Sequence, residues 1–577
     1  MQHFLYKYLP ILNVLKEYNS EKLKADLISG STVGIVLIPQ GMAYAVIAGL
    51  PPIYGLYAGL APLFIYPLLG TSHHISIGPV AIDMLILAAG LGFLAGDDMS
   101  QKVALAILTA LMTGFFQLLM GFIKLGFVFN LFSRPVISGF TIAAPIIIII
   151  SQLGTLLHID VPNSQYIYEM LVNISLQLDG IHWPTFGLSV FFISFLVLMR
   201  RFYSKLPESV LLVTITILVV SFVGISKWGI SQVGEIPGGL PEFILPSLNF
   251  ETIKKLAPNA FTLALIQFMT IASLSKSFAR KHNYTVNPNQ ELIAIGSSNM
   301  VGSLFQSLPV SSSFTRSAIA EQSGAKTSIN NIFAGILILF TLLFLTQFFE
   351  LLPESLLSAI IVVSVSSLID IKELRYFIKT KRRDAFVALI TIFSVLFIGI
   401  QEGIIIGLIS SIMALLLKFS RPSVAELGLI PKTRDFKNRK RFSEAQPIPG
   451  VLILRIDASF SFVNAEFFKN FIIEKSMNRK VYPKFVIIDG TTIGDLDVSA
   501  MDSLLVIINT LNKQGIELYI SGLIGPVRDV IRKSNISTFV KSNRFYNTVY
   551  DAVKAALKKQ DEEDGGSRLN EFLNNSA

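Results

Sequence analysis

Long apolar runs interrupted by proline and glycine dominate the first 420 residues. The run from Val33 to Pro52 reads as a first membrane-crossing helix kinked at Pro39, and IYGLYAGLAPLFIYPLLG follows as a second. Ser76–Gly96 is short for a full crossing and opens on Gly78-Pro79, a helix start below an apolar run. Further runs lie near 103–123, 127–150, 184–200 and 207–226, and another ends at Arg280-Lys281. Continued to residue 420, the pattern gives about fourteen crossings, two of them half-length. The fold class is a multi-pass α-helical membrane protein. Composition agrees: of 577 residues, 52% are hydrophobic and 15% charged, and mean hydropathy is +0.60.

The second half-length segment lies in Ser303–Thr327, SLFQSLPVSSSFTRSAIAEQSGAKT. Pro309 cannot continue a helix but suits the entry to a new one, so a short helix is expected from Ser311 onward. Its free N–H groups and dipole favour an anion. Ser311, Ser312, Ser313 and Thr315 add hydroxyls, and Arg316 adds a fixed charge able to grip an oxyanion bidentately. An arginine at membrane depth is costly, and marks a substrate path unless a backbone carbonyl holds it for packing. Two short segments at Pro79 and Pro309, one in each half of the apolar region, form the pattern of an inverted repeat whose broken helices aim their N-termini at one midplane site.

Other polar residues inside the spans admit more than one role. Gln40 and Tyr44 fall four apart on one helix face, where the glutamine serves either an interhelical hydrogen bond or a ligand. Asp83 sits one turn into the third span, to be paired with a cation such as Arg316, held neutral, or used in an ion path. His73 and His74 are adjacent and share no helix face, so no metal site is expected there.

Basic residues set the orientation. Arg200, Arg201 and Lys205 follow the sixth span, Lys276, Arg280 and Lys281 close the eighth, and Lys372–Asp384 follows the twelfth. All are even-numbered crossings, so both termini are expected in the cytoplasm of a cell-membrane protein, with loops 158–182 and 227–256 outside. The net charge of +9 reports these loops, not nucleic-acid binding. With no cysteine, disulfides, iron–sulfur clusters and cysteine zinc sites are excluded, and no cofactor or metal is expected. Residues 1–25, mixed in character, read as a cytoplasmic lead-in, and 26–420 as the transport domain. Residues 421–447 read as a basic linker and 448–558 as an α/β module of alternating strands and helices. Residues 559–577 read as a disordered acidic tail.

IPQGMAYAVIAGLPP, SIGPVAI, the run Asn287–Phe305 and SFTRSAIAEQSGAKT resemble the sulfate permease (SulP) family of anion transporters, and ILRIDASFSFVNAEFF with IIDGTTIGDLDVSAMDSLL resembles a STAS domain. The resemblance covers residues 10 to 555 in order. It implies a seven-plus-seven inverted repeat, a homodimer, and a core domain that carries the anion past a gate domain. Mapped onto this chain, the anion site would draw on Gln40 and Tyr44, on the turn at Gly78, Pro79 and Val80, and on Ser313, Thr315 and Arg316. Many bacterial members carry an acid for proton or sodium coupling in the eighth span. Here that position is Thr270, Leu274 follows one turn later, and residues 260–275 hold no acid. Asp83 or Gln267 would have to substitute, or the protein exchanges anions, or coupling is lost. In the STAS part, the position phosphorylated in bacterial regulators falls on Ser499, which the residues read first as a helix N-cap with Asp502 in the first turn. Regulation or binding of a cytosolic partner is the expected role of that module.

SGAKT lacks the upstream glycine and spacing of a phosphate-binding loop, and no hydrolase or metalloprotease motif is present, so a pump or an enzyme is not expected. The reading is a secondary transporter of small inorganic anions, most of all sulfate. Bicarbonate or another anion, a passive channel, and a sensor signalling through the STAS domain are the alternatives.

Overall fold

The computed structural model describes residues 9–92, 94, 96, 98–126, 133–159, 161, 167–202, 208–223, 228–234, 236, 238–479, 481–534 and 544–576. The parts of the expected lead-in at 1–8 and of the expected spans at 127–132 and 224–226 lie outside them. Two compact units divide at residues 411 and 412.

In the first unit the described apolar helices follow one another in the expected order. Among the described residues, seven helices are long and apolar enough to cross a membrane. The first span, Ser20–Ile47, starts at Asn19, whose side chain accepts from the Lys22 N–H at 2.9 Å, and runs through Pro39. The second is split at Gly59–Leu60 into Ile53–Ala58 and Ala61–Leu69. The third and tenth are the half-length ones, Ala81–Gly92 and Phe314–Gln322. Each is preceded by two extended residues, β1 (Ile77–Gly78) and β2 (Ser311–Ser312). These pair antiparallel, with Ile77 opposite Ser312 and Gly78 opposite Ser311. The fourth is Met99–Phe122, the fifth Arg134–Leu157, the eighth Phe250–His282 and the ninth Pro288–Leu304.

Helix packing repeats with the two halves exchanged. The first span packs on the eleventh (Asn330–Phe344) as the eighth packs on the fourth, and the ninth on the fourth as the second on the eleventh. The thirteenth (Arg382–Phe397) packs on the fifth as the sixth (Trp183–Phe202) packs on the twelfth (Glu354–Ser366). That exchange is what an inverted repeat of seven requires. Small residues allow the closest of these approaches: a Cβ on Gly114 would lie 2.6 Å from the Gly296 carbonyl oxygen, and one on Gly296 2.9 Å from that of Gly114.

The second unit is built on a six-stranded sheet in the order β4-β3-β5-β6-β7-β8: Phe436–Asn438, Val424–Leu429, Val451–Ile456, Phe485–Asp489, Glu517–Ser521 and Phe545–Tyr546. The strands from β5 to β8 run parallel, and β3 is antiparallel to both its neighbours. Helices Ala465–Met477, Val498–Lys513 and Gly525–Lys533 bury one face of the sheet, and Val549–Asp564 with Arg568–Ser576 the other.

Two expectations are corrected here. The basic linker is not a linker: its residues supply β3 and β4, with Ala425, Leu427 and Leu429 buried in alternation. The acidic tail is not disordered. After Gly565 (φ +68°), the Asp561 carboxylate accepts from the Arg568 and Leu569 N–H groups at 3.0 and 2.8 Å. That seats a last helix, whose Leu569, Phe572 and Leu573 pack on Ala552, Val553 and Ala556.

Candidate anion-binding site

The tenth span begins at Phe314, three residues later than its proline implied, because Ser311 and Ser312 are engaged in the β1–β2 ladder. Ser313 is the N-cap: its Oγ accepts from the Arg316 N–H at 3.3 Å, and its own N–H donates to the Ser76 carbonyl at 3.1 Å. The ladder is held from three neighbouring spans. Asn331 of the eleventh accepts from the Ile77 N–H at 3.2 Å and donates to the Ile75 carbonyl at 2.8 Å. Ser317 Oγ accepts from the Ser76 N–H at 3.0 Å. Asn299 of the ninth brackets Val310, accepting from its N–H at 2.7 Å and donating to its carbonyl at 3.1 Å.

Two helix N-termini therefore start on either side of one short ladder, deep in the protein. Arg316 is fully buried, and none of its Nε, Nη1 and Nη2 has a hydrogen-bond partner in the protein. The side-chain oxygens of Ser76, Ser311, Ser312 and Gln40 are buried and unpartnered as well. Buried polar groups are normally satisfied, and leaving a donor unmet costs about 1–3 kcal/mol, more for a charged one. A cluster of one guanidinium and several hydroxyls in this condition has the composition of an oxyanion site. Gly78, at φ +151°, gives the guanidinium its room: a Cβ there would lie 3.1 Å from Nη2.

A cavity lies alongside. Tyr44, Val80, Asp83, Ser311, Ser313 and Thr315 line it on the side of the two helix starts, with Thr270 of the eighth span. The facing wall is mostly apolar, from Val136, Phe140 and Thr141 of the fifth span and Ser364, Val365 and Leu368 at the end of the twelfth. Gln40, Gly78, Pro79, Ser312 and Arg316 are not among the residues that line this cavity.

Asp83 and Gln267, both named as coupling candidates, meet: Gln267 Nε2 donates to Asp83 Oδ2 at 3.0 Å. Asp83 makes no ion pair with Arg316 within 4 Å. Thr270 turns its hydroxyl to the Ile266 carbonyl of its own helix at 2.9 Å. His73 and His74 belong to an aromatic stack with His282 and Tyr284, and among the described residues no group of three or more metal-ligating side chains occurs. In the second unit Ser499 is not the cap. Asp497 takes that position, its Oδ1 accepting from the Ala500 N–H at 2.9 Å and its Oδ2 from the Phe462 N–H at 2.6 Å. A carboxylate that serves two N–H groups displaces a serine two residues on, and Ser499 is an exposed residue of the first turn.

Residues 23–391 match the sequence profile of the Sulfate permease family, and residues 443–552 that of the STAS domain. The chain belongs to the sulfate permease family. It is 34% identical over 565 residues to "Sulfate transporter 4.1, chloroplastic" of Arabidopsis thaliana, covering 95% of this chain and 82% of that protein. A probable sulfate transporter of Mycobacterium tuberculosis is 31% identical over 544 residues, covering 94% of this chain and 97% of its own. The fold is also that of the murine solute carrier 26 family member A9 anion transporter in its inward-facing state. That structure gives TM-score 0.90 at 23% identity, covering 97% of this chain and 95% of that one. The transmembrane domain of a cyanobacterial bicarbonate transporter gives 0.59 at 21%, covering 68% of this chain and 98% of its own.

For this sulfate permease family chain, sequence reasoning missed the supports of the ladder. Asn299, Asn331 and Gln117 are buried amides in apolar helices, and Asn299 and Gln117 join Gln267 in one network. The available signal was the rarity of Asn and Gln in such spans, where each needs partners.

Proposed function

We propose that this protein is a secondary transporter of small inorganic anions, with sulfate the first substrate to test. The observation that carries the reading is Arg316. It is wholly buried between two helix N-termini, and its guanidinium nitrogens have no partner in the protein. Arg316 neutralises the anion, the N–H groups at the starts of the third and tenth spans take its oxygens, and Gln40, Ser311, Ser312, Ser313 and Thr315 tune the fit. Tyr44, Gly78, Pro79 and Val80 shape the pocket between them. The relatives' names support sulfate as the substrate class.

Movement follows alternating access, the unit bearing the two half-helices sliding as a core against a gate that includes the fifth and twelfth spans. The basic residues after even-numbered spans support cytoplasmic termini in a cell membrane, and a homodimer is carried over from the family resemblance. Binding of a cytosolic partner at the STAS domain, with Ser499 as the exposed position for modification, belongs to the same proposal. No enzymatic step is assigned.

The test is uptake of labelled sulfate and, separately, labelled bicarbonate into proteoliposomes. Saturable uptake stimulated by internal anion, abolished in Arg316→Ala while that variant still elutes as a folded protein, is the expected result. Large selective currents with no trans-stimulation would make the protein a channel, and no flux of any anion would leave a sensor. Unchanged uptake kinetics in Arg316→Ala would remove the site.

A further inference from the structure

The fourteenth span, Ile400–Ser420, ends inside the second unit, which takes in residues 412–420. Met413, Leu415, Leu416, Leu417 and Phe419 are exposed there, so this end is apolar all round, as a helix in lipid is. Lys418 and Arg421, exposed as well, mark the level at which the helix leaves hydrocarbon for headgroups. Only residues 421–423 separate this end from β3.

The sheet register fixes which edge of the STAS domain lies at that level. Val424, the first residue of β3, stands opposite Ile456, the last of β5. Strands β5, β6 and β7 are parallel, so their C-terminal ends share this edge. Two hydrogen bonds tie it to the end of the span. The Asp457 N–H donates to the Ser423 carbonyl at 2.9 Å, and Asn464 Nδ2 donates to the Phe419 carbonyl at 3.2 Å.

The loops of this edge expose apolar side chains. Phe462, after β5, is 73% exposed, and Val498, after β6, is 68%. They are neighbours: Phe460 bridges Leu496, and the Phe462 N–H donates to Asp497 Oδ2 at 2.6 Å. Ile524, after β7, is exposed on the same edge. Strand β4 runs back antiparallel to β3, and the Arg439 N–H donates to the Glu426 carbonyl at 3.1 Å. The turn that follows therefore carries Lys440 and Arg441 back toward the start of β3. Both are exposed, and among the described residues neither makes an ion pair. Asp457, Asp495 and Asp497 are engaged, the first by Arg455 and the others by the Leu496, Ala500 and Phe462 N–H groups. Exposed apolar tips beside unpaired basic residues, next to the end of a membrane helix, have the composition of an interfacial contact with lipid. At the level of the Phe419 carbonyl the surrounding medium is the headgroup layer, so lipid is the occupant that the position selects.

We infer that this edge of the STAS domain is seated on the leaflet at which the fourteenth span ends. Phe462 and Val498 enter the headgroup layer, and Lys440 and Arg441 meet anionic headgroups. The seat ties the position of the domain to the charge of the lipid beneath it.

The chain has no cysteine, so single-cysteine variants of the full protein each take one label. Phe462→Cys and Val498→Cys, labelled with a polarity-sensitive dye and placed in nanodiscs, should emit to the blue and be quenched by nitroxide-bearing lipid. The control is Val481→Cys: Val481 is 82% exposed and precedes β6, at the opposite edge of the sheet. Aqueous iodide should quench the control several-fold more strongly than the other two, and nitroxide lipid should leave it unquenched. Lipid quenching of Phe462→Cys should be stronger with phosphatidylglycerol present than in phosphatidylcholine alone, and adding Lys440→Glu and Arg441→Glu should remove that difference. Iodide quenching of Phe462→Cys and Val498→Cys equal to that of the control overturns the inference, because the edge then faces water. Shielding from both quenchers overturns it as well, because a protein surface then covers the edge. Lipid quenching that ignores lipid charge overturns the pairing of Lys440 and Arg441 with headgroups.

Discussion

Gly78 leaves the Arg316 guanidinium its room across the two half-helices: a Cβ on Gly78 would stand 3.1 Å from Nη2, and the Gly78 backbone holds φ at +151°. Both facts oppose any side chain at this position. A non-glycine residue there carries about 1–3 kcal/mol of backbone strain, and the guanidinium must give way by a few tenths of an ångström. Gly78→Ala is expected to express, to melt lower, and to show a sulfate KM raised by about tenfold or more, since about 1.4 kcal/mol corresponds to a factor of ten. A KM equal to that of the wild type would separate Gly78 from the site.

Asn299 serves four polar groups at once: the Val310 N–H and carbonyl, and the side-chain oxygens of Gln117 and Gln267. Replacing it with alanine strands several buried partners, each costing about 1–3 kcal/mol, so the loss exceeds that of an ordinary buried truncation. Thermal melting of the purified Asn299→Ala protein should fall well below that of Ser298→Ala, whose hydroxyl bonds only within its own helix at 2.8 Å. Equal melting of the two variants would show the network to be energetically idle.

How far the sequence disclosed this arrangement depends on the range of the interaction. The apolar runs, the two prolines and Arg316 are local signals, and they located both half-helices. The start of the tenth span was misjudged because Ser311 and Ser312 are claimed by Ile77 and Gly78, more than two hundred residues away. Which residues reach the cavity was similarly hidden: Tyr44 and Asp83 line it, whereas Gln40 and Arg316 do not, and no spacing distinguishes them. In the STAS domain the charge of Lys437, Arg439 and Lys440 masked the period-two alternation of β3, and Asp561–Asp564 masked the helical spacing of Leu569, Phe572 and Leu573.

Buried carboxylates pin the loops that flank the half-helices. Glu291 accepts from the Thr71 N–H at 2.7 Å, the Thr71 hydroxyl at 2.6 Å, the Ser72 N–H at 3.2 Å and the Tyr66 hydroxyl at 2.8 Å. Asp26 does the same after the tenth span, for the Lys326 and Thr327 N–H groups at 2.8 and 3.0 Å. An amide presents one acceptor oxygen and one donor to a site built for two acceptors. Glu291→Gln and Asp26→Asn should each lower stability by about 1–3 kcal/mol, read as a fall in melting temperature without a change in sulfate KM. A selective KM change with no loss of stability would contradict a purely structural role.

The loop before β1 carries a pH dependence of its own. Burial, and then the nearby rings of His282 and His73, push His74 from an ordinary histidine value down to about 4. His74 stacks on His282 at 4.2 Å and contacts the Tyr284 hydroxyl at 3.3 Å. In the folded protein it stays neutral where an unfolded histidine, near 6.5, has already taken a proton. The unfolded chain binds more protons across that window, so stability is lost as pH falls from about 6.5 to 4. The melting temperature should decline over that range, and His74→Phe, which keeps a stacked ring, should flatten the decline. An unaltered slope in the variant would assign the acid sensitivity elsewhere.

The last helix of the STAS domain offers the sharpest contrast between composition and structure. Phe572 is 5% exposed, its ring 5.1 Å from that of Tyr550, within the cluster that covers one face of the sheet. Removing a buried phenylalanine side chain costs about 3–5 kcal/mol, a large share of what holds a domain of this size together. Phe572→Ala should therefore make the C-terminal region sensitive to limited proteolysis at low protease concentration. Glu562→Ala, on the exposed face of the preceding helix, should leave it resistant. Resistance of both variants would mean that this helix is not held by the contact, and the sequence-based reading of a disordered tail would be restored.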